Sequence, residues 1–299
     1  MQQVKVLMAA ALLMMLVPSA TSAQPALGAQ GAEAEPGRRQ QWLVPTPDPA
    51  TPAHALLFRP SGDGPFPLAL IAHATTQNVL HRAMAPQPEY TALAAFLVAR
   101  GFAVLVPERL GHGATGGKYV EDQGGCDEAN YSRSGRATAD EIVAAMEYLR
   151  KQPFIRADGT VIVGHSAGAW GALALTSDNP GGVLRIILFA PGRGGRANDF
   201  PNQVCAPHTL IASAAEFGAH ARIPVTWLVA ANDSYFSPAF SRQLADAFAK
   251  AGGKVDFHVL PAYGGEGHWL PEKENGVKLA ASELDRALKA VRPVASGKR

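Results

Sequence analysis

Charge and cysteine are both scarce in this chain. Only 17% of its 299 residues are charged, Lys and Arg (27) nearly balance Asp and Glu (25), and neither sign gathers into a tail or tract. Without such a tract there is no field to attract a polyanion, so nucleic acid is not an expected partner. The two cysteines, Cys126 and Cys205, are too few for a structural zinc site. Neither has the histidine and acid spacing that a thiol nucleophile needs. The apolar run at residues 6–17 is too short to cross a bilayer comfortably. No repeat of solenoid length is apparent, which sets aside the stacked-repeat architectures.

What is present is a composition that is 47% apolar, enough for one sizeable core, with 30 Gly and 23 Pro suited to many connections. Lys5, the apolar run and the small residues 18–23 (PSATSA) read together as a signal peptide over 1–23, with Gln24 first in the mature chain. The protein is therefore expected to be exported, to a periplasm or beyond, with no stable membrane association after cleavage. Such a compartment permits a Cys126–Cys205 disulfide.

Residues 24–53 show little periodicity and are expected to form a loosely ordered lead into a single domain over 54–299. Within that domain short apolar runs alternate with amphipathic stretches. Strands are expected at 55–58, 68–72, 102–106, 160–163, 184–190, 225–230 and 255–260. Helices are expected at 86–100, 138–151, from after Gly164 to about Thr176, at 238–251 and at 273–291. Buried strands separated by helices imply an α/β fold with a mostly parallel sheet covered on both faces. Ligand chemistry then belongs at the carboxyl ends of the strands. Residues 111–137 and 191–222 could fold over the site as caps.

The sharpest local signal is Gly164-His165-Ser166-Ala167-Gly168, between the strand TVIV and the helix opening AWGALAL. A nucleophile elbow is a strained strand-to-helix turn with its serine at the tip, and flanking glycines let strand and helix approach closely. A serine hydroxyl is a weak nucleophile without a base, and the base needs an acid behind it. Asp233 follows the strand VTWLVA, and His268 follows VDFHVL in the loop PAYGGEGHW. Glu266 is nearer to His268 along the chain, but adjacency in a loop does not put its carboxylate behind the ring. Glu216 could serve only if its loop folded back.

The amide of Ala167, at the helix start, is the first expected oxyanion donor. The second is expected from the loop His73-Ala74-Thr75-Thr76-Gln77, with Thr75 preferred to Thr76. Thr76, His165, Tyr235 and Trp269 are expected at the substrate pocket. Tyr119, Tyr131, Trp170 and Phe236 are further candidates for an aromatic wall. His73 and His112 read as structural.

These pieces, LIAHATT, VPERLGHGATGG, VGHSAGAWGA, AANDSYF and GGEGHW, resemble in their order the α/β-hydrolase superfamily, in the region of its dienelactone-hydrolase-like and prolyl-oligopeptidase-like esterases. The resemblance implies that fold over about 54–292, with Ser166, Asp233 and His268 as a triad and no metal or organic cofactor. Two departures stand out. Ala74 occupies a position usually held by Gly, and the elbow carries a serine where dienelactone hydrolases use cysteine. The expected activity is hydrolysis of a small-molecule carboxylic ester through an acyl-enzyme. The alternatives are a peptidase or amidase of short peptides, and an inactive binding protein on the same fold.

Overall fold

A computed structural model describes residues 26–289 and 291. Its centre is a nine-stranded sheet in the order β1-β2-β3-β5-β4-β6-β7-β8-β9. The strands are β1 (Gly28–Ala29), β2 (Gln40–Val44), β3 (Ala53–Phe58), β4 (Leu68–Ala72), β5 (Ala103–Pro107), β6 (Thr160–His165), β7 (Val183–Phe189), β8 (Val225–Ala230) and β9 (Val255–Leu260). The first three are antiparallel to their neighbours, and everything from β5 to β9 runs parallel.

Alternation along the central strands creates two cores. In β4, Leu68, Leu70 and Ala72 face one side, with α3 (Tyr131–Leu149), α4 (Ala167–Ala174), α5 (Pro207–Gly218) and α6 (Pro238–Lys250). Ala69 and Ile71 face the other, with α2 (Thr91–Val98) and α7 (Glu274–Lys289). Both faces of the sheet are thus dry, which is why the strands read as unbroken apolar runs. The short helix α1 (Val79–Ala83) follows β4.

Several expectations are corrected. Residues 24–53 are not a loose lead throughout, since β2 pairs along its whole length with β3 and buries Trp42, Leu43 and Val44. The helix expected over 86–100 shrinks to α2, because Pro86 and Pro88 occupy its proposed first turns and Tyr90 sits at φ 46°. Helix α3 begins earlier than expected, where the Asn130 side chain caps it by accepting from the Arg133 amide at 2.9 Å. The stretch 191–222 divides. Its first half borders the site, whereas α5 packs in the core through Leu210 and Phe217 and covers nothing.

Cys126 and Cys205 are joined by a disulfide with Cα atoms 5.0 Å apart. A bond of this kind points to an oxidising, exported setting. The expected signal peptide lies outside the described residues. Among the described residues, no helix is long and apolar enough to cross a membrane.

Candidate active site

Ser166 stands between β6 and α4 with φ 54° and ψ −118°, a conformation that is sterically costly for a side chain other than glycine. The surrounding bonds hold it there. Its amide donates to the Phe189 carbonyl (2.9 Å), and its carbonyl accepts from Trp170 N (2.9 Å) and Gly192 N (3.3 Å). The flanking glycines are required by space. A Cβ on Gly164 would lie 2.3 Å from Ala169 Cα, and one on Gly168 would lie 2.2 Å from the Ala72 carbonyl oxygen. Strand β4 and helix α4 can therefore touch only if residue 168 has no side chain.

Asp233 lies in the turn after β8 and is buried. One of its oxygens, Oδ1, accepts the amides of Tyr235 (2.9 Å) and Phe236 (2.8 Å). The other, Oδ2, accepts from Nδ1 of His268 (2.9 Å). A carboxylate held in this way places the imidazole proton on Nδ1 and leaves Nε2 as a base. The Tyr235 ring stacks on the His268 ring, with centroids 4.2 Å apart and planes 20° apart. Glu266 takes a different part. It accepts the backbone amides of His268 (3.0 Å) and Ser234 (3.1 Å) and the Ser234 hydroxyl, so it shapes the loop without reaching the ring. Glu216 pairs with Arg136 and Ser132 at the surface.

Ser166, Ala167, Thr75, Thr76, Tyr235, Phe236, His268 and Trp269 line one cavity of about 670 Å³. Among the described residues no hydrogen bond joins Ser166 to His268; such bonds commonly tighten only with substrate in place. Ala167 is the first residue of α4, where an amide has no partner within the helix. In the facing loop, the Ala74 amide is already committed to the Tyr90 hydroxyl (3.1 Å), which leaves Thr75 and Thr76 to supply a donor.

Part of the expected pocket lies elsewhere. His165 is 1% exposed and does not line the cavity, because its side chain points beneath the elbow, where both ring nitrogens are hydrogen-bonded. Tyr131 and Trp170 are core residues, the Tyr131 hydroxyl donating to the Cys205 carbonyl and the Trp170 indole to the Tyr131 carbonyl (2.9 Å). Tyr119 lies under the Arg82 guanidinium, 3.6 Å from ring centroid to Cζ. The aromatic wall therefore reduces to Tyr235, Phe236 and Trp269.

The cavity also has a polar side that the sequence did not announce. Gln123, Arg193, Arg196 and the disulfide border it. Arg193 and Arg109 grip the buried carboxylate of Glu121 from two sides. Burial pushes that carboxyl up, but the two guanidiniums outweigh burial and hold it well below the usual range. Burial, then the Glu121 charge, drives the neighbouring Glu141 the other way.

His112, in the loop after β5, is likewise more than a turn residue. Its Nδ1 faces the carbonyls of Arg109 (3.1 Å) and Leu110 (3.0 Å), so its Nε2 accepts from the Thr75 hydroxyl. Burial lowers its pKa to about 4, which keeps the ring neutral and able to accept. Among the described residues no group of three or more His, Cys, Asp or Glu could hold a metal ion.

Residues 88–181 match the prolyl oligopeptidase family, Peptidase_S9. No curated protein matches the chain by sequence. Solved structures do. An esterase of Pyrococcus furiosus is 14% identical with a TM-score of 0.59, over 85% of this chain and 92% of that one. A putative dienelactone hydrolase of Klebsiella pneumoniae is 13% identical (TM-score 0.57; 84% and 98%). The protein Est1E of Butyrivibrio proteoclasticus, solved with ferulic acid bound, is 17% identical (TM-score 0.56; 83% and 98%). With its sheet order, its elbow and these likenesses, the chain has the fold of the α/β-hydrolase superfamily.

Proposed function

We propose that this protein is an exported serine hydrolase that cleaves a small carboxylic ester through an acyl-enzyme on Ser166. The observation that carries the reading is the buried Asp233–His268 pair, bonded at 2.9 Å, whose histidine lines the cavity that also holds the strained Ser166. His268 Nε2 takes the Ser166 proton as Oγ attacks the ester carbonyl, and Asp233 steadies the imidazolium that forms. The amides of Ala167 and Thr75 receive the oxyanion. His268 then protonates the leaving alcohol, activates a water and releases the acid. Every proton in this cycle moves between side chains of the chain, substrate and water.

An ester is favoured because the solved structures of like fold include proteins named as esterases. Peptide or amide cleavage is the second reading, supported by the match to the prolyl oligopeptidase family. Parallel assays with p-nitrophenyl acetate and aminoacyl p-nitroanilides separate the two. Ser166→Ala is expected to lower kcat on the order of 10⁶-fold and to abolish labelling by a fluorophosphonate, with the circular dichroism unchanged. Turnover retained by that variant overturns the reading, as does a wild-type chain that neither labels nor hydrolyses.

A further inference from the structure

Beneath the elbow, two buried side chains outside the triad join the oxyanion loop to the catalytic histidine. Tyr90 is 7% exposed and His165 is 1% exposed. Tyr90 Oη lies 3.1 Å from the Ala74 amide nitrogen and 2.8 Å from His165 Nδ1, and His165 Nε2 lies 2.8 Å from the His268 carbonyl oxygen. The rings of Tyr90 and His165 meet edge to face, with centroids 5.9 Å apart.

The direction of each bond follows from chemistry. A carbonyl can only accept, so Nε2 of His165 carries the proton. Burial, and then the neighbouring His268, hold the His165 pKa well below its ordinary value, so the ring is neutral and Nδ1 is an acceptor. The Tyr90 hydroxyl therefore donates to Nδ1, and its oxygen is free to accept the Ala74 N–H. Each group in the chain makes the bond that its neighbour's choice leaves open. Reversing the His165 tautomer would break the arrangement, because it would aim a lone pair at the His268 carbonyl. Glu272 Oε1, 3.6 Å from Nδ1, lies beyond hydrogen-bond length.

We propose that Tyr90 and His165 are positioning residues that fix the oxyanion loop and the His268 backbone relative to one another through this single directed chain. One end is Ala74, adjacent to the Thr75 amide that is to receive the oxyanion. The other is the main chain of the base itself. Both anchored groups act on charge that develops in the transition state, so loosening them lowers kcat and leaves ground-state binding alone. The proposal rests on the serine-hydrolase reading above.

The test is a double-mutant cycle on the full chain with p-nitrophenyl acetate. Tyr90→Phe keeps the ring that packs in the core and removes the hydroxyl that serves two bonds. His165→Asn keeps an acceptor for Tyr90 and removes the donor to the His268 carbonyl. Concentrations are counted by fluorophosphonate titration, so unfolded material lowers the count and not the rate constant. The expected result is a kcat lower by about tenfold for Tyr90→Phe with KM within about twofold, which is about 1.4 kcal/mol of transition-state stabilisation. The double variant is expected to lose less than the product of the single losses, as members of one network do. A Tyr90→Phe variant whose kcat stays within twofold of wild type while its melting point falls overturns the proposal and leaves the hydrolase reading standing. Losses that multiply, or that fall on KM, also overturn it. A wild-type chain inert in both assays removes the reaction and the proposal together.

Discussion

Replacing Glu121 by glutamine changes one atom and removes one charge from a place where charge cannot be replaced by water. The carboxylate is 0% exposed. Arg109 donates to Oε1 through Nε and to Oε2 through Nη2 (3.3 Å), and Arg193 donates to the same Oε2 through its own Nη2. A glutamine keeps one acceptor and turns an amide toward a guanidinium, leaving two cations buried without a counter-charge. Removing one partner from a buried ionic group costs about 3–5 kcal/mol. For a domain of this size each kcal/mol moves the melting point by about 2–4 °C, so a fall of roughly 6–20 °C is expected by scanning calorimetry at pH 7. The sign of the pH dependence is fixed. Glu121 has a depressed folded pKa, so its stabilisation is complete well above its ordinary value of 4.5 and fades as pH falls below it. Glu141 is a carboxyl placed to take over, since its Oε2 already accepts the Leu110 amide (2.7 Å) and its ionisation is opposed partly by Glu121. Glu121→Gln/Glu141→Gln removes that stand-in. A loss below about 1 kcal/mol in both variants would refute the view that this ion group ties the loop after β5 to the loop after β7.

Asp233→Asn is expected to keep the turn, because Oδ1 still accepts the Tyr235 and Phe236 amides, yet to present an N–H to His268 Nδ1 and so select the wrong tautomer. The kcat for p-nitrophenyl acetate should fall by about 10⁴-fold with the melting point little changed; a loss under tenfold would assign the acid to another residue. Reducing Cys126–Cys205 opens a loop of sequence separation 79 and should cost about 4–5 kcal/mol, read as a lower urea midpoint in dithiothreitol. An unchanged midpoint would mean that the loops bordering the cavity are held by packing and the ion group alone.

Residues whose identity is dictated by backbone geometry were the legible ones. Gly164 and Gly168 are read correctly from sequence because the elbow leaves no room for a Cβ, and LALIA, VTWLVA and VDFHVL are bounded as strands at the residues observed. The order Ser, Asp, His then follows the order of strands across the sheet, which places all three at one rim. Strand β2 is not legible in local composition, because Trp42 and Val44 are buried only when β2 pairs with β3 and joins the core on one face of the sheet. Helix α5 was missed for a related reason. Its start is set by Ala206 at φ 43° and Pro207, and its buried side depends on the approach of α6, where a Cβ on Gly218 would lie 2.2 Å from the Phe248 carbonyl oxygen.

His165 illustrates the harder limit. It stands beside Ser166 in the elbow and is expected from sequence at the substrate pocket. A strained turn sends successive side chains in different directions, however, and here Ser166 faces the cavity while His165 turns under it toward Tyr90. Nothing in the segment QPEYTALAA marks Tyr90 as the partner, because the pairing spans 75 residues and exists only once β4, α2 and β6 have met. The same is true of Thr75 and His112, 37 residues apart, and of Glu121 and Arg193, 72 apart. Around the cavity, then, Ser166, Asp233 and His268 are specified by local motifs, and the polar pairs buried under the rim by contacts between distant segments. A substitution at Tyr90, Glu121 or Arg193 would leave every quoted motif intact and still disturb the geometry on which the proposed proton transfer depends, so motif retention alone does not establish a working site.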